Sequence, residues 1–160
     1  MARTTDTLTV ADEIWVATAL LHREHPDRPD FTLTEIVQRA GREGVSPEHR
    51  AGLRPHASRH CVANAAPSPS VHRMLVETGR STRRLFRPGD PFHPERSRGK
   101  TRPDRDDLPE AYRYLLEWYA REWAPASTED PLLQMYGTWK DLLDGKSADD
   151  YVRELREGWD

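Results

Sequence analysis

The sequence predicts a mostly helical α+β fold, in which three helices precede a β-hairpin and further helices follow it. Three observations support this prediction. Apolar residues recur at helical spacing in three segments before residue 65. Two short β-like runs flank a glycine-containing turn at residues 79–81. A further helical pattern covers residues 108–124 and precedes an acidic segment.

The composition is that of one small domain with a polar appendage. The chain has 160 residues, of which 36% are hydrophobic and 32% are charged. Cys61 is the only cysteine, so no intramolecular disulfide is expected, as in proteins of a reducing cytoplasm. The first ten residues lack the apolar run of a signal peptide, and no segment is apolar over the length of a membrane span. We therefore expect a cytoplasmic protein without a membrane partner.

The first two helices carry clear start signals. Thr9 can cap a helix over residues 9–22, whose apolar side chains recur every three or four residues. Thr32 and Glu35 have the spacing of a capping box at the start of a second helix. Gly41 or Gly44 is expected to end that helix.

The third helix and the hairpin follow. Arg54-Pro55 is the stronger start of a helix that reaches about Asn64, although Ser46-Pro47 offers an earlier one. Residues 71–78 and 82–87 have β-like composition, and the glycine turn between them predicts a hairpin.

Four segments are expected along the chain. Residues 1–90 form the first domain, and residues 91–107 form an extended linker rich in proline and arginine. Residues 108–124 form a helix that packs on the domain or dimerises. Residues 130–160 form a separate helical tail, which Pro125 helps to set apart.

Charge is distributed unevenly over the chain. The formal net charge is −3, but residues 50–105 carry thirteen basic and four acidic side chains, a net of +9. Residues 1–49 have a net charge of −4 and residues 106–160 a net charge of −8. A basic middle between acidic ends indicates a polyanionic partner. Nearly all the basic residues are arginine, which suits phosphate and guanine contacts but also accompanies a GC-rich genome.

Three helices followed by a basic hairpin predict a winged helix-turn-helix domain that binds double-stranded DNA. The third helix would enter the major groove, and the hairpin arginines would neutralise phosphates. The residues expected to contact DNA are Arg54, His56, Ser58, Arg59, His60, Asn64, Arg80, Arg83, Arg84 and Arg87. Two alternatives stay open: a solvated basic face, and a winged helix that binds only proteins.

The C-terminal segment contains Gly137-Thr138-Trp139-Lys140-Asp141-Leu142-Leu143 and then Asp150-Tyr151-Val152-Arg153-Glu154-Leu155-Arg156-Glu157-Gly158-Trp159. These residues resemble the toxin-binding tail of VapB-type antitoxins over about thirty positions. The usual short DNA-binding arm of those antitoxins has no counterpart in the preceding domain. The resemblance implies a transcriptional autoregulator whose tail wraps a PIN-domain ribonuclease toxin.

The expected tail contacts follow from this resemblance and from an amphipathic helix with large anchors. An inserted arginine would neutralise the metal-binding carboxylates of the toxin. The residues expected to bind the partner are Trp139, Leu142, Leu143, Tyr151, Val152, Arg153, Leu155, Arg156 and Trp159. The alternative is a stand-alone DNA-binding regulator, in which the C-terminal segment packs on its own core or forms a homodimer.

The sequence contains no strong catalytic or metal-binding motif. His56, His60 and Cys61 come nearest to a metal site, but no second cysteine or carboxylate completes a set. Neither a glycine-rich phosphate loop nor a nucleophile motif occurs. We therefore expect no enzymatic activity, no catalytic residue, no metal and no cofactor.

Overall fold

Helix α1 (Val10–Glu24) lies at the centre of the domain and is buried on every side from Ala11 to His22. The computed structural model describes residues 8–45, 47–67 and 70–124, without the side chain of residue 49. Thr9 caps α1 and forms a capping box with Asp12, so the predicted start is confirmed. The sequence predicted one apolar stripe, whereas packing surrounds the helix and buries even Asp12.

A two-residue strand and a second helix follow α1. Strand β1 (Phe31–Thr32) leads directly into α2 (Leu33–Glu43). The Thr32 hydroxyl accepts from the Glu35 amide, and the Glu35 carboxylate accepts from the Thr32 amide, which confirms the predicted capping box. Gly44 ends α2 at φ 59°, a left-handed conformation that favours glycine.

The third helix consists of two parts. After a 3₁₀ turn at Pro47–His49, α3 (Arg50–Pro55) continues into a π-helical turn (His56–His60). The α-helix therefore begins at Arg50, four residues before the start that the sequence favoured, and a short helical turn occupies the earlier candidate position at Pro47. Proline has no amide hydrogen to donate to the preceding turn, and the wider turn that follows closes with a hydrogen bond from the Cys61 amide to the His56 carbonyl, 3.0 Å.

The predicted hairpin is present, and it belongs to a three-stranded antiparallel sheet. Strands β2 (Leu75–Gly79) and β3 (Thr82–Leu85) pair with each other, and β1 pairs with β3, giving the order β1-β3-β2. The hairpin register is irregular between Glu77 and Gly79. The His22 imidazole accepts a hydrogen bond from the Leu85 amide through Nε2, 3.2 Å, and so ties α1 to the central strand.

The segment after the hairpin packs on the domain instead of extending away from it. It contains 3₁₀ turns at Pro94–Arg96, Arg105–Asp107 and Glu110–Tyr112. Gly99 lies so close to the backbone of Val71 that a Cβ atom there would stand 1.6 Å from the Val71 carbonyl oxygen. Residues 91–107, expected to be a linker, therefore lie in the same compact unit as the preceding elements.

The last helix in the described ranges joins the same core. Helix α4 (Tyr114–Trp118) continues as a π-helical turn (Tyr119–Trp123). Leu115 and Tyr119 are buried, and the Tyr119 ring lies 5.6 Å from the Trp15 ring of α1. Residues 108–124 thus pack on their own domain. Among the described residues, no helix is long and apolar enough to span a bilayer.

Arg96 is fully buried, and each of its five guanidinium N–H groups is bonded to a backbone carbonyl. Nε donates to Ala65, Nη1 to His60 and His72, and Nη2 to Arg59 and Ala66, at 2.6–3.1 Å. One side chain therefore connects the end of the third helix, the loop after it and the start of the hairpin.

We predict that Arg96→Met lowers the free energy of unfolding by more than about 3 kcal/mol, because the buried carbonyls lose their donors. The measurement is a urea titration of the full chain followed by tryptophan fluorescence. Arg98→Met is the matched control, since Arg98 is exposed and the change should cost less than about 0.5 kcal/mol. Equal midpoints for the two variants would contradict this role of Arg96.

We predict that His22 makes stability depend on pH. Burial, together with the charges of Arg87 and Arg84, lowers the pKa of His22 from 6.5 to about 3. Below pH 6.5 the His22 side chain is protonated in the unfolded chain but stays neutral in the folded chain. The contribution of neutral His22 to the free energy of unfolding is therefore complete above pH 6.5 and falls as the pH decreases toward 3. The limiting slope is about 1.4 kcal/mol per pH unit.

The measurement for His22 is the free energy of unfolding by urea as the pH falls from about 7.5 to about 5. His22→Gln keeps a side-chain acceptor for the Leu85 amide but does not titrate, so its slope should be smaller. His25→Gln removes an exposed imidazole and should keep the slope of the unmodified chain. A slope that His22→Gln leaves unchanged would show that another group is responsible.

Candidate nucleic-acid interface

The third helix exposes arginines along its length. Arg50, Arg54 and Arg59 are exposed, whereas Leu53 and Ala57 on the other side are buried. Arg50 and Arg54 are four residues apart and so share one side of the α3 turn. A shallow pocket of about 390 Å³ is lined by Arg54, Pro55, Ser58, Arg59 and His60.

The other predicted contacts of the third helix are partly or fully engaged within the domain. His56 Nδ1 lies 2.9 Å from the Gly52 carbonyl, and the His56 ring packs edge-on against His60 at 4.9 Å. Ser58 donates its hydroxyl hydrogen to the Pro55 carbonyl. The Asn64 amide bonds both the N–H and the carbonyl of Glu77, so Asn64 connects the helix end to strand β2.

The four predicted hairpin arginines divide into three kinds. Arg80 is exposed in the turn between the strands. Arg83 is 4% exposed and faces inward, where it donates to backbone carbonyls. Arg84 and Arg87 belong to the far end of β3 and to the loop that follows it.

Both arginines at the base of the hairpin have partners. Arg84 forms a two-pronged ion pair with Asp90, at 2.8 Å for each bond, and this carboxylate raises the pKa of Arg84. The Arg87 guanidinium lies over the Trp123 ring, 3.9 Å from its centre. The structure thus gives Arg84 and Arg87 roles in holding the hairpin base and the last helical turn.

Three connections fix the hairpin against the third helix. Arg83 Nη2 donates to the Ser58 carbonyl at 3.0 Å, and the Asn64 amide bonds the backbone of Glu77. The Cys61 carbonyl accepts from the amides at the start of β2. Exposed side chains of the helix and of the turn are therefore carried on elements that are bonded to each other.

We use the name arginine set for four exposed side chains: Arg50, Arg54, Arg59 and Arg80. Arg50 was not among the residues predicted to contact DNA, although the possible helix start at Ser46-Pro47 and its spacing of four from Arg54 were available signals. Within the described ranges no carboxylate forms an ion pair with any member of the set. These four guanidinium groups can bind anions and donate hydrogen bonds to acceptors such as phosphate oxygens and guanine.

No group of three or more histidine, cysteine or acidic residues in the described part of the chain is placed to hold a metal ion. Cys61 is fully buried, and burial raises the pKa of its thiol to about 12.

Comparison of the chain with family models, with curated proteins and with solved structures finds no match. The function is therefore inferred from the residues of this surface and their placement.

Proposed function

We propose that this chain binds double-stranded DNA through a winged helix-turn-helix domain. The order of elements supports this: α1, β1, α2, the third helix, then the β2-β3 hairpin, with β1 paired to the hairpin. In such an arrangement the third helix is the element that fits the major groove, and the hairpin is the wing beside it.

The observation that carries the proposal is the arginine set on two elements that are bonded to each other. Arg54 and Arg59 extend from the third helix, and Arg80 from the turn of a hairpin that Arg83 fixes to that helix. The planar fork of arginine matches the paired acceptors of guanine and of phosphate. The net positive charge of residues 50–105, which lie between two acidic segments of the chain, also agrees with a polyanionic partner.

We predict that Arg54→Ala, Arg59→Ala and Arg80→Ala together weaken binding to a mixed-sequence duplex by about a hundredfold or more. The plot of log affinity against log salt concentration should become flatter by about one unit for each phosphate contact removed. The measurement is fluorescence anisotropy of a labelled duplex at several salt concentrations.

A control variant removes the same charge elsewhere. Arg23, Arg105 and Arg121 are exposed, and they lie on or beside the last helix: Arg23 over Tyr114, and Arg105 near Glu117. Replacing these three by alanine should leave affinity and salt dependence within about twofold of the unmodified chain. Equal losses for both triple variants would reduce the proposal to nonspecific charge, and no binding by the unmodified chain at low salt would overturn it.

We further propose that the chain acts as an antitoxin that regulates its own transcription. This extension rests on the resemblance of residues 130–160 to VapB-type tails, and those residues lie outside the described ranges. The alternative is a stand-alone DNA-binding regulator. In that alternative residues 108–160 dimerise or cover the core, and the burial of Leu115 and Tyr119 agrees with packing of the part of this segment that lies in the described ranges.

The antitoxin proposal predicts co-purification of the full chain with a PIN-domain ribonuclease encoded beside it. Trp139→Ala with Trp159→Ala should abolish capture, because large buried side chains dominate such interfaces. The variant that lacks Arg54, Arg59 and Arg80 is the matched control, and it should bind DNA more weakly but still capture the toxin. Absence of a PIN-domain partner, with DNA binding intact, would favour the stand-alone regulator.

A further inference from the structure

We propose that Arg83 is a positioning residue, which sets the place of the hairpin turn, and so of Arg80, against the third helix. This inference rests on the proposed DNA-binding function and deepens it. Arg83 would contribute to DNA affinity without touching DNA, although its sequence position suggested a phosphate contact.

The contacts of Arg83 reach both sides of the turn and the helix. Nη1 donates to the carbonyls of Gly79 and Thr82, at 3.1 and 2.8 Å, and Nη2 donates to the carbonyl of Ser58 at 3.0 Å. Gly79 and Thr82 are the residues on either side of the two-residue turn that contains Arg80. One rigid guanidinium plane therefore fixes the base of the turn relative to the third helix.

Burial of the Arg83 guanidinium group carries a high desolvation free energy. The side chain is 4% exposed, and its nearest carboxylate oxygen, on Glu77, is 3.6 Å away. Burial of a charged group costs several kcal/mol, which hydrogen bonds to the buried group must offset. What arginine adds is a fixed set of hydrogen-bond directions between three backbone carbonyls.

The two ends of the arginine set depend on Arg83 to different extents. Arg80 is exposed in the turn, so its position is set by the position of the hairpin tip. The backbone carbonyl of Arg59 accepts a hydrogen bond from Arg96, so Arg59 is held by a contact that does not involve Arg83. Loss of Arg83 should therefore remove the contribution of Arg80 to DNA affinity and spare that of Arg59.

The test is a double-mutant cycle in the full chain, read by duplex-DNA affinity. Arg80→Ala alone should weaken binding by about tenfold, whereas in the Arg83→Gln background it should change affinity by less than about twofold. Arg59→Ala should have the same effect in both backgrounds. Additive effects of Arg80→Ala and Arg83→Gln, or equal coupling of Arg83 to Arg59, would overturn the inference.

A second measurement needs no DNA. Spin labels on cysteines introduced at Arg80 and Arg54 report the distance from the hairpin tip to the third helix, while Cys61 is fully buried and stays unlabelled in the folded domain. The distance distribution should be narrow with Arg83 present and clearly broader in the Arg83→Gln variant. An unchanged distribution would overturn the inference, whatever the affinity data show.

Arg83→Lys covers the case in which Arg83→Gln fails to fold. Lysine keeps the positive charge but lacks the planar fork that spans three carbonyls, so the broader distribution and the lost contribution of Arg80 should both persist. If Arg83→Lys behaves as the unmodified chain, charge alone is sufficient and the inference is overturned. If both variants unfold, Arg83 is a stability residue and the inference is likewise overturned. Absence of DNA binding by the unmodified chain would count against the proposed function, and the distance measurement would still decide the role of Arg83.

Discussion

The C-terminal end of the third helix is the point on which the other elements depend, because two buried arginines bond its last carbonyl groups. Arg83 binds the carbonyl of Ser58, and Arg96 binds those of Arg59 and His60. A helix end leaves such carbonyls without partners inside the helix, and it carries a partial negative charge that favours cations. The hairpin and the segment after it are held to the helix through these bonds.

Magnitudes explain what the two arginines contribute. A hydrogen bond from a charged donor is worth about 1.5–3 kcal/mol, and burial of an ion costs several kcal/mol. The hydrogen bonds offset the cost of burial more fully in Arg96, whose five donors are all used, than in Arg83, whose buried Nε has no partner in the described ranges. The main contribution of the two arginines is therefore geometric. Five carbonyls from three segments must be placed around the Arg96 guanidinium plane, and three carbonyls around that of Arg83.

Local signals predicted the helices and the hairpin, while long-range contacts did not appear in the sequence. The capping box of Thr32 with Glu35 depends on residues three apart, so pattern alone sufficed. No local sequence pattern distinguishes Arg96 from Arg98, yet Arg96 is buried and donates to carbonyls more than twenty residues away in the sequence. Arg83 did carry a signal: side chains alternate along a strand, so Arg83 shares the face of buried Leu85.

The division of the arginines changes what the charge of the sequence implies. A net of +9 for residues 50–105 counts every basic side chain equally, but Arg83 and Arg96 are buried and Arg84 is paired with Asp90. The surface proposed to meet DNA therefore has few cations, in the main the arginine set. Counterion release scales with the number of phosphates neutralised, so such a surface gains limited affinity from the DNA backbone. The remainder of a tight interaction would have to come from base contacts by the third helix, where the position of each arginine matters more than total charge.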